Sequence, residues 1–277
     1  MKSQLDLNFY IRYWNLEETR LVTTTHTSEV FQVIRGGERF ILKILNEKGV
    51  QCELSSQEVL TTFDGAGMVQ IVDSKDRGLL LEYIDGEKLS QLSKNGRDRE
   101  AAYVISDLVN QMSEKETCHV KLHGIERQFL SLFQRAKEST NSQCLYFKTA
   151  KIAQELVDTE RKVQLLHGDI HHDNILHSSK RGWLLVDPQA FYGERTYDLC
   201  NSFYNPDDFP DLVETKERIE NLAELYAEKL RFDRLRILKF AYAFGGLSCS
   251  WQLDEGGDPA RRLRITKLIE KLIEKLI

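Results

Sequence analysis

The chain has 277 residues, 41% hydrophobic and 29% charged, with only 4 prolines, which excludes a disordered or collagen-like protein and suffices for a substantial core. Its net charge of −5 argues against a nucleic-acid surface, which needs clustered Lys and Arg, and no run approaches the ~20 apolar residues of a membrane span. Met1 to Tyr10 lacks the apolar stretch of a signal peptide, so a cytoplasmic location is expected, and Cys52, Cys118, Cys144, Cys200 and Cys249 are scattered as reduced thiols are.

From Val30 to Leu45 the run VFQVIRGGERFILKIL predicts a hairpin turning at Gly36-Gly37. Glu53 to Phe63 has helical spacing, and Met68 to Val72 and Gly78 to Tyr83 read as short strands. After Asp85-Gly86 the pattern changes. Apolar residues recur at helical intervals over Arg99 to Ser113, Ile125 to Lys137 and Tyr146 to Val157, and again over Asp211 to Leu230, Leu235 to Trp251 and Arg261 to Ile277. Between these groups, Val163 to Leu166, Ile175 to His177 and Trp183 to Val186 read as short strands enclosing polar turns. The final KLIEKLIEKLI reads as a closing amphipathic helix, with an oligomer contact as the alternative. The expectation is an α+β chain, with a strand-rich part over 1–86 and a mainly helical part over 87–277.

The chemistry concentrates in residues 165–198, where carboxylates and one amide stand on turns flanked by apolar strands. Asp169 precedes Asn174 by the Asp-x-x-x-x-Asn spacing of a kinase catalytic loop, and Asp187 ends an apolar strand shortly after. Mg²⁺ prefers carboxylate, amide and phosphate oxygens, so Asn174 and Asp187 suit a metal held on a triphosphate, while Asp169 suits the proton of an acceptor hydroxyl.

The segments LLHGDIHHDNIL, GWLLVDP and GERTYDLCN resemble the aminoglycoside phosphotransferase and choline-kinase-like family, and within it the aminoglycoside/hydroxyurea resistance kinases typified by streptomycin 6-kinases. The resemblance implies a protein-kinase-like fold with a small antiparallel-sheet lobe and a larger helical lobe, ATP and Mg²⁺ as cofactors, and a small, possibly cationic, hydroxyl acceptor. It maps Asp169 onto the catalytic carboxylate and Asn174 and Asp187 onto the metal ligands, with Asp198 supporting the catalytic loop. It also implies that Thr24 to Val30, including Ser28, covers the phosphates and that Glu82, Tyr83 and Ile84 form the adenine-receiving hinge. No G-x-G-x-x-G precedes Lys43, so small hydroxyl residues and backbone N–H groups take over that covering. Lys43, in the strand FILKIL, is placed to reach phosphates, and Glu58 in the next helix to hold it by an ion pair, with Glu53 as a competitor. His167 is expected to orient the loop.

Three alternatives use the same residues. His167, His171, His172 and His177 beside Asp169 and Asp173 suggest a transition-metal hydrolase, although the zinc-protease helix pattern is missing. A catalytically silent nucleotide-binding scaffold is a second, and a kinase of a metabolic sugar or amino alcohol a third. For a cationic acceptor, Asp207, Asp208, Asp211, Glu214, Asp254, Glu255 and Asp258 offer charge and Trp251 and Tyr242 an aromatic wall, or else solvated helix ends and core.

Overall fold

A computed structural model describes residues 2–53, 56–112, 121–139, 141 and 143–277, leaving aside the side chains of 2–6 and 51–53. In chain order the elements are α1 (Lys2–Tyr13), β1 (Glu18–Thr24), β2 (Ser28–Arg35), β3 (Glu38–Leu45), α2 (Glu47–Glu53), α3 (Ser56–Phe63), β4 (Ile71–Lys75) and β5 (Gly78–Glu82). There follow α4 (Ser90–Lys94), α5 (Asp98–Met112), α6 (Leu130–Glu138), α7 (Leu145–Asp158), β6 (Gln164–Leu166), β7 (Ile175–Ser178), β8 (Gly182–Leu185) and β9 (Phe191–Gly193). The last helices are α8 (Pro210–Val213), α9 (Lys216–Leu230), α10 (Arg234–Asp254) and α11 (Ala260–Ile273). Short 3₁₀ segments occupy Ile125–Arg127, His172–Asn174 and Arg195–Tyr204. Among the described residues no helix is long and apolar enough to cross a membrane.

The chain forms two compact units, Met1–Gly86 with Leu176–Ala190, and Glu87–Ile175 with Phe191–Ile277. The segment Leu176–Ala190, counted with the second part on sequence grounds, therefore clusters with the first.

The first unit is built on an antiparallel sheet of order β1-β2-β3-β5-β4. The hairpin read from sequence is β2 and β3, paired from Ser28↔Leu45 to Arg35↔Glu38. Strand alternation sorts the side chains. Phe31, Val33, Leu42, Ile44 and Leu80 form one apolar face, covered by Leu7, Tyr10 and Trp14 of the N-terminal segment, while Lys43, between Leu42 and Ile44, points to the other. The α1 helix has no counterpart in the sequence reading. Tyr10 and Trp14 stack at 5.1 Å, and each finds a polar partner on β4: the Trp14 indole donates to Asp73 Oδ2 at 2.9 Å and the Tyr10 hydroxyl to the Lys75 carbonyl at 3.1 Å. Aromatic rings of this size dominate a small core.

The expected strand at Met68 to Val72 begins instead at Ile71, because Met68 and Val69 bond with Leu185 of β8: the Val69 amide donates to the Leu185 carbonyl at 2.8 Å and the Leu185 amide to Gly67 at 2.9 Å. Arg181 reinforces this seam, pairing with Glu82 and donating to the Met68 carbonyl at 2.8 Å.

The second unit is helical around α10, where nearly every residue from Arg236 to Ser250 is buried. Glycines permit this density: a Cβ on Gly245 would collide with Tyr204 and Thr266, and one on Gly246 with Thr149 of α7. The C-terminal repeat forms α11, burying Ile265, Ile269, Leu272 and Ile273, so it is a closing amphipathic helix. The expected single helix over Asp211 to Leu230 is split, because the Thr215 hydroxyl caps a new helix by accepting from the Arg218 amide.

A buried ion pair clamps this unit. Arg236 of α10 meets Glu194 through Nε at 2.7 Å and Nη2 at 2.6 Å, and Glu194 also accepts from the Thr196 hydroxyl and the Arg161 amide. Glu194 stands directly before the 3₁₀ segment that carries Asp198.

Candidate active site

The loop between β6 and β7 carries Asp169 and Asn174. Gly168 sits at φ +83°, and a Cβ there would strike the Phe191 ring, so a tight left-handed turn and a neighbouring aromatic both demand glycine. Asp198 fixes the turn from beneath, accepting from the Gly168 amide at 2.7 Å and the His167 amide at 3.1 Å. Burial pushes the Asp198 carboxyl up to about 7, against the lowering pull of those two amides and of Arg195. His167 is buried, and its Nδ1 accepts from the Asp169 amide at 3.2 Å.

Asp169 is partly exposed, and both its oxygens face amide donors. Asn201 Nδ2 donates to Oδ1 at 2.8 Å. Asn174 Nδ2 donates to the Asp169 carbonyl at 3.0 Å and to Oδ2 at 3.3 Å, which orients the Asn174 Oδ1 as a free hard oxygen. Among the described residues no Lys or Arg pairs with Asp169; the nearest cationic candidate is His171, with Nε2 at 4.0 Å from Oδ2. The loop is tied down through Asp173, which accepts from the Ser90 hydroxyl at 2.6 Å.

The first unit holds the remaining residues. Lys43 is buried on β3 and forms an ion pair with Asp187. Asp187 follows β8 and has φ +61°, an uncommon conformation for a non-glycine residue and one that often marks function. The Lys43–Glu58 pair expected from sequence is not formed. Glu58 is exposed on α3, because Ser56, Val59, Leu60 and Phe63 make up the buried face of that helix, and among the described residues it enters no ion pair. Glu53 closes α2, its side chain outside the described residues.

The expected phosphate loop Thr24 to Val30 is shorter, because Thr24 ends β1 and Ser28 begins β2. Thr25 to Thr27 make the turn, with Thr25 Oγ1 accepting from the Ser28 amide at 3.0 Å, and Ser28 is buried. Glu82 closes β5, its amide engaged by the Gln70 carbonyl at 3.0 Å. Tyr83, under the Arg39 guanidinium at 4.3 Å, and Ile84 follow it.

Among the described residues the histidines of the loop do not come together as a metal set. The Nδ1 atoms of His167 and His171 accept backbone amides, His177 packs on Trp183, and among the described residues no group of three or more His, Cys, Asp or Glu could hold an ion. His172 is buried 3.9 Å from Asp98, and burial lowers its pKa to about 3, so it stays neutral. Several acids considered for a cationic acceptor already have partners. Asp207 pairs with Arg261 and Arg262, Glu214 with Arg264, Asp208 with Lys94 and Asp254 with Arg135. Tyr242 donates to Glu270 at 3.0 Å, and Trp251 packs edge-on against Phe244.

Sequence reasoning missed Asn201. Its signal was available in TYDLCN, where it follows Asp198 by three residues, one turn of the same 3₁₀ segment.

A family model for the aminoglycoside/hydroxyurea antibiotic resistance kinases matches residues 13–256. The chain belongs to that family. It is 29% identical over 270 residues to a streptomycin 3″-kinase of Klebsiella pneumoniae, covering 95% of this chain and 98% of that protein. It is also 25% identical to a streptomycin 6-kinase of Streptomyces griseus, covering 88% and 80%. Among solved structures it is similar to a thermostable mutant of an aminoglycoside phosphotransferase in complex with ADP and hygromycin B (TM-score 0.70, 11% identity, covering 95% and 97%). A choline kinase from Streptococcus pneumoniae is similar too (TM-score 0.66, 14% identity, covering 98% and 99%). The fold is thus protein-kinase-like and of the α+β class, and this member of the family is a small-molecule kinase.

Proposed function

We propose that this kinase transfers the γ-phosphoryl group of ATP, with Mg²⁺, to a hydroxyl of an aminoglycoside, with streptomycin as the first acceptor to test. One observation carries the assignment of the base. Asp169 is held by amide donors and, among the described residues, by no Lys or Arg, so its carboxylate is oriented yet able to take a proton.

In the reaction Asp169 accepts the proton of the acceptor hydroxyl as that oxygen attacks the γ-phosphorus in line. The bond from phosphorus to the bridging oxygen breaks, and ADP departs with its electrons. Lys43 binds the phosphates and Asp198 keeps the catalytic turn in shape. Asn174 Oδ1 and the Asp187 carboxylate would each supply a hard oxygen of the kind magnesium prefers, and magnesium when bound would neutralise phosphate charge. The streptomycin kinases among the relatives favour this acceptor class, and use of ATP would suit a cytoplasmic enzyme.

The test is ADP release by the purified protein with Mg-ATP across streptomycin, other aminoglycosides, hydroxyurea and amino alcohols, with Asp169→Asn as control. Streptomycin-dependent release, lost in the variant and matched by a product one phosphate heavier, is expected. Release with an amino alcohol alone would replace the acceptor, and nucleotide binding without turnover on any acceptor would overturn the catalytic reading.

A further inference from the structure

We infer that Asn201 is a positioning residue for Asp169, and that a hydrogen-bonded chain through Asn205 and Arg218 fixes its amide. Asn201 Nδ2 lies 2.8 Å from Asp169 Oδ1. Its own Oδ1 accepts from Asn205 Nδ2 at 2.8 Å, which settles the orientation of the amide: the oxygen faces Asn205, so the nitrogen faces Asp169. The Asn205 carbonyl accepts from Arg218 Nη2 at 2.8 Å. Arg218 is itself buried on α9, with Nε donating to Asp98 Oδ2 at 2.8 Å. Asp98 Oδ1 in turn lies 3.9 Å from Nε2 of His172, in the same 3₁₀ turn as Asn174.

The hydrogen-bonded chain therefore runs from Asp169 through Asn201, Asn205 and Arg218 to Asp98. Asn174 meets one oxygen of Asp169 from within the turn, and Asn201 meets the other from a segment braced by α9 and the start of α5. Each carboxylate oxygen keeps a lone pair for the acceptor proton, while the rotation of the carboxyl group is restrained from both sides. Restraint of this kind acts on the rate of the chemical step and leaves substrate affinity nearly unchanged.

This inference rests on the phosphotransferase reading for its kinetic test, and a second test needs no substrate. With the acceptor that the wild type uses, Asn201→Ala is expected to lower kcat roughly 10- to 100-fold with both KM values changed less than about 3-fold. Asn201→Asp, which sets a carboxylate against a carboxylate, is expected to be slower than Asn201→Ala, and Asn201→Gln to recover part of the rate. Independently, one side-chain amide proton of Asn201, identified by its loss in Asn201→Ala, is expected downfield in the ¹⁵N–¹H spectrum and to move upfield in Asp169→Ala. An amide signal indifferent to Asp169 would overturn the inference whether or not streptomycin is a substrate. So would an Asn201→Asp enzyme with wild-type kcat. A wild type silent on every acceptor while the amide signal responds would remove the function proposed above and leave the pairing intact.

Discussion

Lys43 and Asp187 form an ion pair across 144 residues of sequence, both inside the compact unit built on the five-stranded sheet. Asp187 is half exposed, its side chain retaining 51% of its accessible surface, so the pair contributes little to stability. It holds the two charged groups together in one place. Lys43→Met is expected to raise the KM for ATP and lower kcat by roughly 100-fold in all. Asp187→Asn should lower kcat comparably, with a melting temperature close to that of the wild type. Steady-state kinetics beside a thermal melt check both.

Asp198 gives the loop a pH signature. Its carboxyl is raised to about 7 in the folded chain, above the ~3.9 of an unfolded aspartate. The unfolded state therefore loses its proton first, and the stability linked to this group is fully present below about pH 4 and lost as pH rises toward 7. At most this amounts to roughly 1.4 kcal/mol per pH unit. The wild type minus Asp198→Asn difference in unfolding free energy, followed by urea titration from pH 4 to 8, should fall with that slope and flatten above pH 7. A difference independent of pH would refute the burial effect.

The Gly168 turn admits no side chain. Gly168→Ala would meet both the positive φ and the Phe191 ring, so a loss of activity of at least about 100-fold is expected, together with a destabilisation of roughly 1–3 kcal/mol. Phe191→Leu in the same chain removes part of the collision and should recover some stability but little activity, since the strained φ persists. Chemical denaturation and a kinase assay separate the two.

Glu194 is the acid that Arg236 requires. Removing one member of a buried pair strands the other, so Glu194→Ala should cost roughly 3–5 kcal/mol. The double change Glu194→Leu with Arg236→Met should cost less than the sum of the single changes. Additive single and double values would show the pair to be uncoupled.

On the apolar face of the sheet, Trp14→Ala deletes a buried ring and its bond to Asp73. A loss of roughly 3–5 kcal/mol is expected, with the KM for ATP unchanged in whatever fraction stays folded. Far-UV circular dichroism with urea titration measures the first and nucleotide kinetics the second.

Which of these features a sequence can reveal follows from the distance over which the signal acts. The β2–β3 hairpin announces itself because alternation and a Gly-Gly turn are local, and the Asp169 turn because polar residues between apolar strands are costly without a purpose. The α1 helix was silent: Tyr10 and Trp14 bury against a sheet not yet made, and the neighbouring β1 is exposed along its whole length and so carries no burial pattern. Glu58 misled for the opposite reason. Its type and spacing suit a lysine partner, but the apolar residues of α3 decide which face turns inward, and they turn Glu58 to solvent. Asn201 escaped because the carboxylate its amide faces lies 32 residues away, while the local run TYDLCN links it only to Asp198.

The seam between Met68-Val69 and Leu185 has a consequence for how the chain comes into being. The unit that holds Lys43 is discontinuous: it lacks Leu185, Arg181 and Asp187 until residues 87–175 have left the ribosome. Domains that fold as they emerge normally do so from the N-terminus onward, but here the earliest-made sheet waits, with Met68, Val69 and Lys43 short of their partners, for the later hairpin. A fragment ending at Gly86 should accordingly be soluble only poorly and bind no nucleotide, and the two halves of this enzyme cannot be exchanged between relatives by a single crossover at residue 86 without separating Lys43 from the aspartate it pairs with.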